Sequence, residues 1–547
     1  MRSLWIKLRR YPALLLLVTV YLASTAVVAT NILRGRSGAP GQGRKTILRF
    51  AHWQLEPGIR SAIDDLIADY TALHPDVEVR QILIPEQGYF QWVNTQLIGR
   101  TAPDMIEVGS GGAVGWSLWP KFYARYFLPL DRYVDEPNPY NAGTPLEGVP
   151  WRQAFFDEME GGYSEELQSF FRVPIATSTV RLFYNRDLVR KVWDGPFPET
   201  FEDLTELCDR LKAWGEEQGV IMEPIAGSWY NFRQFFNTYR TALTADYLDR
   251  LDRDFNGTVS RIESAAPLYS GAVRMDEPAL QGNFALIQEL AEYFAPGFTA
   301  LGRDEAVFLF LQGQSAMITT GTWDFEVMRV QAEFDLAVAE IPLPSPSHPR
   351  YGALVAGPTT EAGLRGGFPM GVIKDSPNVE TTLDFLRFAT SLEANEKLNR
   401  TMSWLPVAEG ARLAEHLQPF APLIEGYASC ITYDAPGAEL AFEQTFKELL
   451  GGKIDYRAFV ESLMAAYDRE LPGGVASEFR NGEQTLSQQI RFAALRRAAL
   501  AGAVGAEKAL TADSQAQYQR IMEAYVVQLG TRHNDIRVWI DSVAAKP

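Results

Sequence analysis

The chain has 547 residues, with 51 Lys and Arg against 68 Asp and Glu for a formal net charge of -17, and that acidity excludes a protein built to bind nucleic acid. A 46% hydrophobic, 22% charged composition excludes wholesale disorder, and the length suffices for two large cores. Two cysteines, Cys208 and Cys430, are too few for a disulfide scaffold or a Cys-rich metal site; they read as separate buried thiols, with one bridge left open.

Arg2, Lys7, Arg9 and Arg10 precede an uncharged run over 11–33 that is long enough to cross a bilayer as a helix. Basic residues placed first predict that the remainder is exported. Ala26 or Ala29 offers a cleavage site, yet the run is long for a signal peptide and Arg34 and Arg36 follow it directly, so cleavage and a retained membrane anchor both stay open. Residues 34–45, RGRSGAPGQGRK, form a Gly-rich basic linker.

Residues 47–52 alternate and branch like a strand, Ile59, Ile63, Leu66, Ile67 and Tyr70 recur at helical spacing until Pro75, and 77–84 reads as a second strand. Such a βαβ unit makes the two strands parallel in one sheet. Ligands of open sheets sit beyond the carboxyl ends of the strands. That places His52-Trp53-Gln54 at the rim, together with Gly109-Ser110-Gly111-Gly112 after a strand at 105–108. Glycine there lets a backbone approach a ligand closely, and Trp116 and Trp119 suit either packing or stacking. Residues 131–164, rich in Pro, acid and aromatics, show no periodicity and read as irregular surface near a domain boundary.

Strand character returns over 173–184. Asn185 opens a short helix through Val192, and 198–214 forms another with Thr200 as N-cap and Asp203 in its first turn. A strand at 220–226 delivers Trp229-Tyr230-Asn231. Residues 252–263, DRDFNGTVSRIE, then match the calcium loop D-x-[DN]-x-[DN]-G-x5-E at every specified position. Asp252, Asp254 and Asn256 would give side-chain oxygens, Thr258 its carbonyl, Ser260 a direct or water-borne contact and Glu263 a bidentate carboxylate, with Gly257 at the sharp turn. A solvated acidic loop or the glycosylation sequon Asn256-Gly257-Thr258 competes with calcium. A single loop of this kind suits a structural ion that stiffens an insertion.

A helix over 279–294 is followed by 306–325, AVFLFLQGQSAMITTGTWDF: an apolar helix end, a turn at Gly313, a buried strand at 316–319 and an exposed aromatic-polar tip. Gly321, Thr322, Trp323 and Asp324 offer backbone donors, a hydroxyl, a flat ring and a carboxylate, a set that suits a polyhydroxylated ligand. Residues 341–349 are Pro-rich and extended. Val379, Leu383, Leu386 and Thr390 share a helical face behind Ser376-Pro377. After Pro472-Gly473-Gly474, two amphipathic stretches read as an added helical hairpin that docks on the preceding domain or binds a partner.

Four of these stretches resemble, in order, the extracellular solute-binding proteins of ABC transporters, family 1, the large carbohydrate-binding group. They are APDMIEV at 102–108 behind Gly99, VPIATSTVRLFYNRDL at 173–188, F-x-x-G-x-x-A-M-x-x-x-G-x-W at 310–323, and 368–373 followed by Leu405-Pro406-Val407. The resemblance spans roughly 46–472. It implies an α/β, two-lobe periplasmic-binding-protein-like fold (type II) with a C-terminal helical extension. Lobe 1 would comprise 46–155 and 369–412, lobe 2 156–368 and 413–472 with an insertion at about 241–271, and the extension 473–547. It also implies a ligand cleft drawing on Trp53, Gly111, Ser178, Tyr184, Trp229, Trp323, Asp324 and Trp404. The implied activity is capture of an oligosaccharide or related polyol without catalysis and its delivery to a membrane permease, outside the cytoplasm, on an inner-membrane anchor if 11–33 is retained. Calcium is no part of the resemblance, and no Cys follows the apolar run to carry the family's common lipid tether.

Two other classes compete. An exported glycoside hydrolase needs only a suitable carboxylate pair, which 68 acidic residues do not exclude. A membrane-anchored sugar sensor would use the anchor and the C-terminal helices. Other chemistries find no H-E-x-x-H, G-x-S-x-G or G-x-x-x-x-G-K-[ST], and the five histidines are scattered.

Overall fold

The computed structural model describes residues 45–109, 112–164, 167, 169–253, 257–501 and a few helical positions between 523 and 537. The apolar run at 11–33, Gly111, Asp254, Asn256 and much of the C-terminal extension lie outside the described residues. Among the described residues, no helix is long and apolar enough to cross a membrane.

Strands β1 (Thr46–His52) and β2 (Val77–Leu83) pair in parallel across the helix α1 (Pro57–Leu73). Ile59, Ile63, Leu66 and Tyr70, the helical stripe, are buried on the sheet. Helix α2 (Glu86–Gly99), β3 (Met105–Glu107), α3 (Gly112–Tyr126) and α4 (Asp131–Val134) follow. Irregular chain and the short hairpin β4 (Tyr163–Ser164) and β5 (Ser169–Phe170) lead to β6 (Val173–Ala176).

The chain leaves this lobe at residues 177–179. Strand β7 (Val180–Asn185) belongs to a second sheet, so what reads as one strand over 173–184 is two strands in two sheets. Val173, Ile175 and Ala176 are buried in one core and Leu182 and Tyr184 in another, and a run buried on both faces has the same pattern in either. The first lobe boundary therefore sits at 177–179 and not at 155/156.

Lobe 2 continues with α5 (Arg186–Val189), α6 (Phe201–Gln218), β8 (Glu223–Ala226), α7 (Trp229–Thr244), α8 (Leu248–Leu251), α9 (Arg261–Ser270), α10 (Pro278–Ala291) and α11 (Arg303–Leu311). Thr200 caps α6 as expected, its hydroxyl accepting from the Asp203 amide. Then come β9 (Ser315–Gly321), buried along its whole length, α12 (Thr322–Gln331) and β10 (Leu336–Ala339). The sheet runs β10-β7-β9-β8.

Strand β11 (Gly367–Val372) returns to lobe 1, antiparallel to β3 and β6, and completes the order β2-β1-β3-β11-β6. Helices α13 (Val379–Ala389) and α14 (Leu392–Met402) cover it. The chain crosses a third time beyond Ser403, where Leu405 pairs with Thr177. Helices α15 (Glu439–Leu450) and α16 (Tyr456–Ala501) finish the described fold.

Helix α16 overturns the expected break at 472–474, because it runs through Pro472, Gly473 and Gly474 without interruption. Phe459, Leu463, Tyr467, Leu471 and Val475, spaced by four, are all buried in the lobe 2 core. The burial of this stripe outweighs the one backbone hydrogen bond that Pro472 cannot donate. Gly474 serves close approach: a Cβ there would overlap the carbonyl oxygen of Pro436. Lobe 2 thus keeps the helix to about Phe479, on which the ring of His533 stacks at 4.0 Å. Cys208 and Cys430 are both buried and unbridged.

Candidate functional site

Helix starts from both lobes converge on the gap between the two sheets. Glu56 precedes α1 and Glu86 opens α2 in lobe 1, each just past the carboxyl end of a strand. Lobe 2 brings Tyr230 from the first turn of α7, Arg303 from the start of α11, and Trp323 and Asp324 from the first turn of α12. Arg303 Nη2 lies 3.7 Å from Glu56 Oε1, an ion pair that spans the lobes. The Trp323 and Tyr230 rings are 6.2 Å apart and nearly perpendicular, and Trp323 also rests on the lobe 1 core.

Behind this cluster the lobes touch closely. The Thr322 amide donates to the Thr179 carbonyl at 3.2 Å, which continues the β7–β9 pairing of lobe 2 up to the crossing. Ser403 Oγ donates to Glu326 Oε2 at 2.6 Å, and Gly58 of α1 packs so tightly on Glu326 that a Cβ would overlap it.

The electrostatics are uneven. Burial pushes the Glu56 carboxyl up, and Arg303 only partly opposes this. Burial likewise raises Asp324, against the pull of Arg303 and of the Thr320 hydroxyl that donates to its Oδ2 at 2.6 Å. Arg303 itself pays for burial but is held charged by Asp324 and Glu56. Burial moves the Tyr230 phenol up to about 12. Deeper in lobe 1, Glu107 accepts from Gln54 Nε2 at 2.7 Å and from the Trp53 amide at 3.1 Å, and complete burial drives it well above the ordinary carboxylate range. His52 is brought down to about 4 by burial.

Several buried polar atoms around the cluster have no protein partner: Glu56 Oε2, Thr322 Oγ1 and Trp404 Nε1. Buried donors and acceptors are rarely left unpaired in folded proteins, and although other such atoms are spread over both lobes, these are the ones that a ligand or water in the gap would complete.

Of the residues expected in the cleft, Trp323 and Asp324 stand at its centre. Trp404 is buried at the lobe 1 edge, 5.9 Å from Phe368. Trp53 is half-buried and edge-on to Tyr89 at 4.9 Å. Ser178 is half-buried in the crossing between the lobes. Trp229 and Tyr184 face elsewhere. Trp229 turns into lobe 2, its ring 5.7 Å from Phe446 and under Lys447 Nζ at 4.8 Å, so Tyr230 takes the cleft position one residue on. Tyr184 stacks on Phe197 at 4.0 Å and lines a separate lobe 2 groove of about 720 Å³ with Gln234 and Asn237. Sequence reasoning missed Glu56, Glu86, Tyr230 and Arg303. The signal for the first two was present, as a glutamate beside proline (Glu56-Pro57, Pro85-Glu86) at a strand-to-helix junction.

The described part of the calcium motif has the motif's frame. Helix α8 ends at Leu251 with Asp252 as its C-cap, α9 begins after Ser260, and Gly257 takes φ +78° as its turn requires. Asp252 Oδ2 accepts from the Gly257 amide at 2.8 Å. Glu263 Oε1 and Oε2 accept from the amides of Arg253 and Ser260 at 2.9 and 2.8 Å, which holds the carboxylate over the loop. Among the described residues, no three His, Cys, Asp or Glu cluster for a metal; Asp254 and Asn256 are outside that set.

Residues 56–396, more than half of the chain, match the family model for bacterial extracellular solute-binding proteins. Solved structures share the architecture. The GacH receptor of Streptomyces glaucescens is 17% identical, with 78% of this chain and 99% of that chain covered at a TM-score of 0.55. Maltose-bound MalE3 of T. maritima is 16% identical over 77% of this chain and 98% of that one, at 0.54. Apo RafE of Streptococcus pneumoniae is 14% identical over 78% and 99%, at 0.52. At such identities the likeness establishes the two-lobe fold.

Proposed function

The chain belongs to the bacterial extracellular solute-binding proteins, and from that premise we propose that it captures an oligosaccharide or related polyol between its lobes, without catalysis, and presents it to an ABC transporter permease. The observation that carries this reading is the cluster of Trp323, Tyr230, Glu56, Arg303 and Asp324 at the seam of two separate sheets, surrounded by buried polar atoms without partners. Rings cover the C–H faces of a sugar, while carboxylates and a guanidinium take its hydroxyls. Structural relatives bound to acarbose and to maltose support the ligand class. Three crossings of the chain between the lobes, at 177–179, 340–366 and beyond Ser403, suit hinge closure, which removes the ligand from water on both sides.

Thermal unfolding of the exported chain across a panel of oligosaccharides tests this. At least one sugar should raise the midpoint in proportion to concentration over Kd, and Trp323→Ala should remove the rise. No response from any sugar overturns the reading, and release of reducing sugar from a glycan at micromolar protein replaces it with a hydrolase.

The proposal includes a structural calcium ion held by Asp252, Asp254, Asn256, Thr258, Ser260 and Glu263, supported by the complete motif and by the helix-loop-helix frame around it. Helix α9, which the loop starts, is tied to the C-terminal part of lobe 2 through Arg261, whose guanidinium meets Glu439 at 2.5 Å and Glu478 at 3.2 Å. Millimolar calcium should therefore raise the unfolding midpoint, and Glu263→Gln should abolish that rise. An unchanged response in the variant would remove the ion from the account.

A further inference from the structure

Among the described residues, the buried charge in the cleft is not balanced. Glu56, Glu86 and Asp324 have Arg303 as their neighbouring cation, whose own field also includes Asp304, while the exposed Arg233 lies near Tyr230. Glu86 and Asp304 reach solvent, and Glu56 and Asp324 do not to any great extent: the Glu56 side chain is 19% exposed and Asp324 6%. Two carboxylates have thus been taken out of water with a single guanidinium between them, which is costly unless a further positive group arrives.

The unpartnered atoms sit on the same elements. Thr322, 0% exposed and adjacent to Trp323 and Asp324, leaves its hydroxyl without a partner at the start of α12, and Glu56 Oε2 on the facing lobe is equally unpaired. A neutral sugar hydroxyl would satisfy the hydrogen bonds and leave the charge excess in place. An ammonium group does both, with three donors and a full positive charge, and the faces of Trp323 and Tyr230 are at hand to attract it.

Resting on the oligosaccharide reading above, we propose that the cleft is selective for an amino sugar, an oligosaccharide that carries a free protonated amine in place of a hydroxyl, with the amine held between Glu56 and Asp324. Arg303 is the brake on selectivity: it fills part of the same field and narrows the gap between amino and neutral sugars without closing it.

The test compares matched pairs by isothermal titration calorimetry on the exported chain. Each neutral oligosaccharide of the panel is set beside its 2-amino-2-deoxy counterpart and its N-acetylated form, so that linkage is constant and only charge differs. The amino member should bind about tenfold tighter or more than either neutral partner. Asp324→Asn and Glu56→Gln should each shrink that ratio towards one, whereas Trp323→Ala should weaken all three forms together. Equal or tighter binding of the neutral forms, or a ratio indifferent to both carboxylate variants, overturns the amino-sugar proposal and leaves oligosaccharide binding standing. Failure of every form to bind overturns both.

Discussion

Two seams hold this molecule together, and they are made of opposite materials. Between lobe 2 and the first part of α16 the contact is mainly apolar: Phe459 lies tilted at 4.8 Å from Phe284, and the Tyr467 hydroxyl donates to the Tyr433 carbonyl at 2.7 Å. Between the lobes, the contact around Trp323 is polar, charged and short of partners. Apolar burial is non-directional and additive, so a seam made of it stays shut. A seam of desolvated, half-satisfied polar groups keeps a cost that a further hydrogen-bond partner would relieve. The contrast separates structure from function without any appeal to relatives.

The contrast breaks first at Phe459. Phe459→Ala removes a fully buried ring from the α16 seam and should destabilise lobe 2 by about 3–5 kcal/mol in urea unfolding. A loss below about 1 kcal/mol would mean that α16 docks by some other means. Gly474→Ala comes next: the added methyl meets backbone at Pro436 and Gly437, which cannot rotate away, so the helix must lift at a cost of about 1–3 kcal/mol.

The two seams also differed in how legible they were. The stripe 459-463-467-471-475 is plain helical periodicity, yet Pro472-Gly473-Gly474 looked like punctuation strong enough to end the domain before it did. What a proline or glycine does inside a helix depends on packing that the local sequence does not display. The βαβ start and the cap at Thr200 were readable because each is a local rule obeyed locally, whereas the tip at 322–324, expected to be exposed, is the largely buried first turn of α12, packed between the lobes. The crossing at 177–179 was not readable, since two strands buried in different cores look like one. In the cleft, Trp323 and Asp324 lie in the first turn of the helix that follows β9, where their place after a strand put them. Trp229 was misassigned to its neighbour's role because side chains one apart on a helix point about 100° apart, and only tertiary packing decides which faces the gap. Glu56, Glu86 and Arg303 come from three distant segments, and their meeting is a property of the fold.

A smaller effect of opposite sign is expected in the cleft. Burial raises the Asp324 carboxyl in the folded state, so the fold holds its proton more tightly than the unfolded chain does, and stability falls as pH rises from the ordinary carboxylate range through the raised value. Asp324→Asn removes that loss. Without ligand the variant should be more stable than the parent at pH 7 by about 1 kcal/mol, with the gap closing towards pH 4, while ligand binding suffers. His52 tilts the parent the other way, because its lowered value costs stability as pH falls below 6.5. The quantity to measure is therefore the difference between variant and parent unfolding at each pH. A variant less stable than the parent at pH 7 would make Asp324 a structural group.

The smallest expected effect sharpens the comparison most. Gly473 and Gly474 are adjacent in α16, share the same helical backbone and differ only in what lies outside. A Cβ on Gly473 would meet nothing within 4 Å, whereas one on Gly474 would meet the Pro436 carbonyl. Gly473→Ala should then gain about 0.5–1 kcal/mol, the ordinary benefit of removing a flexible residue from a helix interior. If the pair were a linker, as the local sequence suggests, both alanines would have nearly the same small effect. Opposite signs from neighbouring glycines, read as urea midpoints of the two variants, require that the helix be continuous and pressed against lobe 2 on the side of Gly474.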